Sequence, residues 1–92
     1  MIKNGVHIEG DLYLRNCKNL KSLGNLKSVG IILLLYDCTS LKSLPSGLKV
    51  GADLYLYGCT SLKELPVDMK IGGLIYASYE LKKRYKDVYK FG

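Results

Sequence analysis

Gly51-Ala52-Asp53-Leu54-Tyr55-Leu56-Tyr57-Gly58-Cys59-Thr60-Ser61-Leu62-Lys63-Glu64-Leu65-Pro66 is the stretch whose reading decides the fold. Leu54 and Leu56 flank a tyrosine, and apolar residues then recur every third place at Cys59, Leu62 and Leu65. The pattern returns with a period of 21 residues, most plainly at Cys17, Cys38 and Cys59. Leu12, Leu33 and Leu54 share a column, as do Leu14, Leu35 and Leu56. Leu20, Leu41 and Leu62 form another, and Leu23, Leu44 and Leu65 the next. Ile8, Val29, Val50 and Ile71 close the units, and Gly30, Gly51 and Gly72 follow the last three of these. Self-similarity at a fixed short period is the mark of a stacked repeat.

Alternation in Leu-x-Leu puts both leucines on one face of a strand and the residue between them on the other. One such strand cannot bury its leucines alone. Stacking the units in parallel, about 4.8 Å apart, piles leucine on leucine into a continuous core. Strands are therefore expected near 11–15, 32–36, 53–57 and 73–77, forming one parallel sheet. Pro45 and Pro66 lack a backbone donor and suit corners. Leu26 sits one place earlier in its unit than Leu48 and Met69, a slip expected to fall in an irregular connection.

The last unit departs from the pattern. Ala77 replaces the second leucine and Glu80 stands where cysteine is due. Leu81, Tyr85, Val88 and Tyr89 then recur at helical spacing, with lysines between them. A basic amphipathic helix over 79–89, N-capped by Ser78, is expected to cover the end of the stack, as repeat proteins require. The fold class is thus a repeat solenoid of about 3.5 turns of 21 residues in a single domain. Residues 1–9 form a partial first turn, 10–77 the repeats and 78–92 the cap.

The segment 51–66 resembles bacterial-type short leucine-rich repeats. It is most similar to those of small repeat proteins of bacteriophage and bacterial genomes. The resemblance spans roughly 6–77 and implies a leucine-rich-repeat-like stack that recognises protein through its sheet face. If it extends to origin, it implies a phage-encoded inhibitor of a host or defence protein, in the bacterial host cytoplasm. One departure stands out: glycine occupies 30, 51 and 72, where such repeats carry leucine, and this bears on the sheet geometry.

Nothing in the chain nominates a catalytic set. His7 is the only histidine and no phosphate-loop or nucleophile motif occurs. Asp11 and Asp53 share a column, but Ile32 interrupts it. Stacked cysteines would place the outer two about 10 Å apart, whereas zinc needs ligands converging at about 2.3 Å. The cysteines read as small buried residues at the strand-to-turn corner. The chain is expected to be no enzyme and to take no cofactor or metal.

The outward positions carry more information. Between the leucines stand Tyr13, Leu34, Tyr55 and Tyr76, and two places on stand Arg15, Tyr36, Tyr57 and Ser78. Tyrosine and arginine suit binding hot spots, although cross-strand tyrosines also stabilise a sheet by themselves. Lysines are expected in the turns, at Lys21, Lys42, Lys49, Lys63 and Lys70. Lys21, Lys42 and Lys63 form a column of like charge, and Lys82, Lys83, Arg84 and Lys86 lie on the capping helix. Solubility explains such lysines; a basic rim around an aromatic centre is the functional reading.

The net charge is +6, and residues 80–92 carry five basic against two acidic side chains. This favours an acidic protein partner. The alternative is a nucleic-acid-binding protein using the Lys21/Lys42/Lys63 ladder and the basic helix. No stretch is apolar enough to span a bilayer, which needs about 20 residues, and no secretory leader is evident. A cytoplasmic protein with no membrane contact is expected. The first unit offers little cover beyond Ile2, Val6 and Ile8. The chain is thus expected to be a monomer with a loose N-terminal hairpin, or a homodimer through that edge.

Overall fold

The computed structural model describes residues 5–92; Ile2, expected to cover the first turn, lies outside them. The chain is a parallel β-solenoid of about three turns with two sheets rather than the one expected. The first sheet holds β1 (Val6–Ile8), β3 (Leu26–Val29), β5 (Lys49–Val50) and β7 (Lys70–Ile71), in the order β1-β3-β5-β7. The second holds β2 (Leu12–Tyr13), β4 (Leu33–Leu34), β6 (Leu54–Tyr55) and β8 (Ile75–Tyr76), in the order β2-β4-β6-β8. Every pairing is parallel and links residues 21 apart, except at the N-terminal end of β1. Regular strands are shorter than the five residues expected. Their ladders continue through bonds such as Leu14 N–H to Leu34 O (2.8 Å) and Leu56 N–H to Tyr76 O (2.6 Å).

The second sheet explains the glycine column. Gly30, Gly51 and Gly72 sit at the corner between the sheets, where successive backbones stack closely. A Cβ on Gly51 would lie 1.9 Å from the Gly30 carbonyl oxygen, and one on Gly30 would lie 1.9 Å from that of Glu9. Position 9 itself carries glutamate, since no turn precedes it among the described residues. The early leucine of the second unit is absorbed in β3, not in an irregular connection. Val6 pairs with Leu26 and His7 with Ser28, so Lys27 is the extra residue of a bulge. Residues 6–8 form the first strand of a parallel sheet, and the rest of the expected N-terminal hairpin lies outside the described residues.

The core is the expected leucine stack. Leu33, Leu35, Leu41, Leu48 and Leu54 are fully buried, and Leu26, Leu44, Leu56, Leu62, Leu65 and Met69 nearly so. Burying each such side chain contributes about 1.5–3 kcal/mol. The cysteine column holds the turns together. The Cys38 thiol donates to Leu14 O (3.1 Å) and the Cys59 thiol to Leu35 O (2.8 Å), each reaching the preceding turn. Burial pushes the Cys38 thiol pKa up, and that of Cys59 up to about 11. Cys17, in the first turn, is only half-buried. Near pH 8 the Cys59 shift alone lowers the thiolate fraction about a hundredfold, and only the thiolate reacts. Cys17 is therefore expected to alkylate first and Cys59 last in the folded protein. Peptide mass mapping over time reads this order, and fast labelling of Cys59 would contradict its place in the stack.

Helix α1 (Tyr79–Tyr85) is shorter than the 79–89 expected. Ser78 caps it as expected, its hydroxyl accepting from Leu81 N–H (3.3 Å). Leu81 and Tyr85 join the core, but Val88 is exposed. The chain leaves the helix so that Phe91 can pair with Ile75. Ile75 N–H donates to Lys90 O and Gly92 N–H to Ile75 O, both at 2.9 Å. The Tyr89 hydroxyl donates to Pro66 O and accepts from Met69 N–H, tying the cap to the last turn. No helix of the described residues is long and apolar enough to cross a membrane.

Candidate functional site

The outer face of the second sheet gathers the outward residues into two rows across its strands. The register pairs Tyr13 with Leu34, Leu34 with Tyr55 and Tyr55 with Tyr76. Arg15, Tyr36, Tyr57 and Ser78 follow in the second row. Tyr55 and Tyr76 stack with ring centroids 4.5 Å apart and planes 6° from parallel. Tyr36 meets Tyr55 edge-on at 5.8 Å, and Tyr57 lies 6.1 Å from Tyr36 and 6.4 Å from Tyr76. The Arg15 guanidinium sits over the Tyr36 ring at 5.1 Å. These contacts join four rings and one cation in a single surface cluster.

Leu34 corrects one expectation. It points outward but is only 7% exposed and lies outside the main core cluster. Tyrosines flank it on both neighbouring strands, so it forms a small apolar base to the face and is not itself presented. Tyr13 and Tyr57 protrude most, at 55% and 45% exposed. Each aromatic pair stabilises the sheet by about 0.5–1.5 kcal/mol, so the cluster is also structural.

The Tyr13 hydroxyl donates to Asp11 Oδ2 (3.2 Å), and the Asp11 charge holds its pKa above the ordinary phenol value. Partial burial, with Tyr76 and Asp53 beside it, raises Tyr55 likewise. Both phenols therefore stay neutral through the physiological range. Asp11 and Asp53 perform the same backbone task in alternate turns. Asp11 Oδ1 accepts from Ile32 N–H and Asp53 Oδ1 from Leu74 N–H, both at 2.9 Å. These carboxylates border the aromatic face on its corner side, a feature the interrupted column concealed.

Not every lysine lies in the turns expected of it. Lys21, Lys42 and Lys63 are exposed and successive in the stack, with Lys42 N–H donating to Lys21 O (3.1 Å). Lys49 and Lys70 are not in turns: they pair directly in β5 and β7, on the outer face of the first sheet. The same row contains His7 and Ser28, whose Nδ1 and Oγ share a 2.6 Å hydrogen bond, an ordinary cross-strand pair. Helix α1 and its C-cap Lys86 divide their charges. Lys83 and Arg84 border a groove with Lys63, whereas Lys82 and Lys86 border another with Leu74, Lys90 and Phe91. Arg84 is engaged with Lys63 O (3.1 Å) and Glu64 (3.5 Å); an ion pair this exposed contributes little to stability. No family model, curated protein or solved structure matches the chain.

Proposed function

We propose that the chain is a non-catalytic module that binds another protein through the aromatic outer face of the second sheet. The contiguous cluster of Tyr36, Tyr55, Tyr57 and Tyr76, with Arg15 stacked on it and Tyr13 beside it, carries this reading. Rings already held by one another lose little freedom on contact, and neutral phenols present both apolar surface and polar tips. The repeats' likeness to short bacterial and phage leucine-rich repeats supports a role as inhibitor of a host or defence protein in the bacterial cytoplasm. An acidic partner suits the +6 charge, with Lys42 and its neighbours steering encounter.

Replacing both Tyr55 and Tyr57 by alanine is expected to leave the circular dichroism spectrum intact and weaken partner binding at least about a hundredfold. Lys42→Ala should instead lower the association rate several-fold, with dissociation little changed. A folded double variant that binds as tightly as the parent would move the site to the basic helix. The second reading, nucleic-acid binding, draws on the stacked Lys21, Lys42 and Lys63. It requires affinity for DNA or RNA that falls steeply with salt; a flat response removes it.

A further inference from the structure

We infer that two copies of this chain associate through their open N-terminal ends, with β2 pairing antiparallel to its own copy about a two-fold axis through Tyr13. The two ends of the solenoid are unequal. At the C-terminal end, residues 90–92 bond to Ile75, while Leu81 and Tyr85 are buried. At the N-terminal end, Val6, Ile8, Leu12, Leu14, Leu20, Leu23 and Leu26 line one apolar depression. Leu12 and Leu14 are only half-buried, whereas their stacked counterparts Leu33, Leu35, Leu54 and Leu56 are at most 2% exposed. The same leucine columns that are dry inside the stack are thus wet at its end.

The backbone of β2 says what fits there. Leu12 N–H and Leu14 N–H donate to Ile32 O (2.9 Å) and Leu34 O (2.8 Å) in the next turn. Alternation turns the N–H and C=O of Tyr13 the other way, away from the stack. A two-fold axis normal to the sheet at Tyr13 lets two Tyr13 residues exchange both bonds, the hydrogen-bonded pair of an antiparallel ladder. In this register Leu12 faces Leu14 of the copy, so the apolar columns meet. Asp11 faces Arg15 of the copy, placing opposite charges together across the strands. The same rotation sets the Val6 and Ile8 flank against Leu20 and Leu23 of the copy.

Because only one end is open among the described residues, the contact is isologous and closes at a dimer rather than propagating. It also joins the second sheets into one, with the aromatic face running across the axis. The dimer does not depend on what that face binds.

Light scattering of the full chain at high concentration should give twice the 10.3 kDa chain mass. Tyr13→Pro removes the outward donor together with the phenol ring and leaves the bonds of Leu12 and Leu14 in place, whereas Tyr13→Ala removes the ring alone. Relative to Tyr13→Ala, the proline variant should weaken dimerisation about thirtyfold or more, through two lost hydrogen bonds, with the two monomers unfolding at similar temperatures. In a Cys17→Ser background, Tyr13→Cys should form a disulfide-linked dimer on oxidation, since paired Cα atoms about 5.5 Å apart lie within disulfide reach. Tyr57→Cys, away from the axis, should not. A single-chain mass at every concentration, open-ended oligomers, or cross-linking at 57 without 13 would each overturn the proposal.

Discussion

Gly51→Ala is expected to destabilise the protein by about 3 kcal/mol or more, the upper end of what overpacking costs. The added methyl would lie 1.9 Å from the Gly30 carbonyl oxygen and 2.8 Å from its carbon. Those are backbone atoms of the stacked turn below, so no side chain can swing aside. The turns must separate at that corner, and the bonds beside it separate with them. Gly51 N–H to Val29 O (2.9 Å) and Ala52 N–H to Ile31 O (2.8 Å) are the first affected. Gly10→Ala is the matched control. A Cβ there meets nothing within 4 Å, and the loss of unfolded-state freedom should leave stability equal or slightly higher. Urea unfolding of both variants checks the pair: equal midpoints would show that the corner backbones are not in contact.

Leu56→Ala should cost about 2–5 kcal/mol. Leu56 is 2% exposed and continues the inward column of Leu14 and Leu35, which the core cluster carries on into Leu81 and Tyr85 of the cap. The neighbouring turns are held by their own ladders and cannot collapse fully into the space left. For a chain of this length the total stability is roughly 5–14 kcal/mol, so the loss is a large part of it. The urea midpoint should fall with an unchanged slope. A change below about 0.5 kcal/mol would remove Leu56 from the core.

The repeat, its inward leucines and its capping residue were legible because each leaves a regular trace. Leu-x-Leu shows the strand alternation of the second sheet, and Ser78 before Leu81 shows a helix start. The first sheet left almost none. Its later strands are the two-residue pairs Lys49-Val50 and Lys70-Ile71, too short for alternation to be seen. Its corner glycines read as turn residues because the clash that requires them comes from a backbone 21 residues away. The burial of Leu34 has a similar origin, since alternation fixes which way a side chain points and not whether neighbours on adjacent strands cover it. Helical spacing ran on to Tyr89, but the pairing of Phe91 with Ile75 ends the helix at Tyr85. On the surface, the tyrosines were visible as columns, whereas their ring contacts and the acidic border depend on stacking.

The proposed function places the partner on the aromatic face of the second sheet, and site-specific photo-crosslinking reads that contact by position. A benzophenone amino acid at position 57 samples that face, and one at exposed position 49 samples the outer face of the first sheet. In bacterial lysate, position 57 should cross-link one protein reproducibly, with the yield lost on Tyr55→Ala, and position 49 should not cross-link it. Cross-linking of a specific protein from position 49 with none from 57 would place the binding site on the first sheet instead.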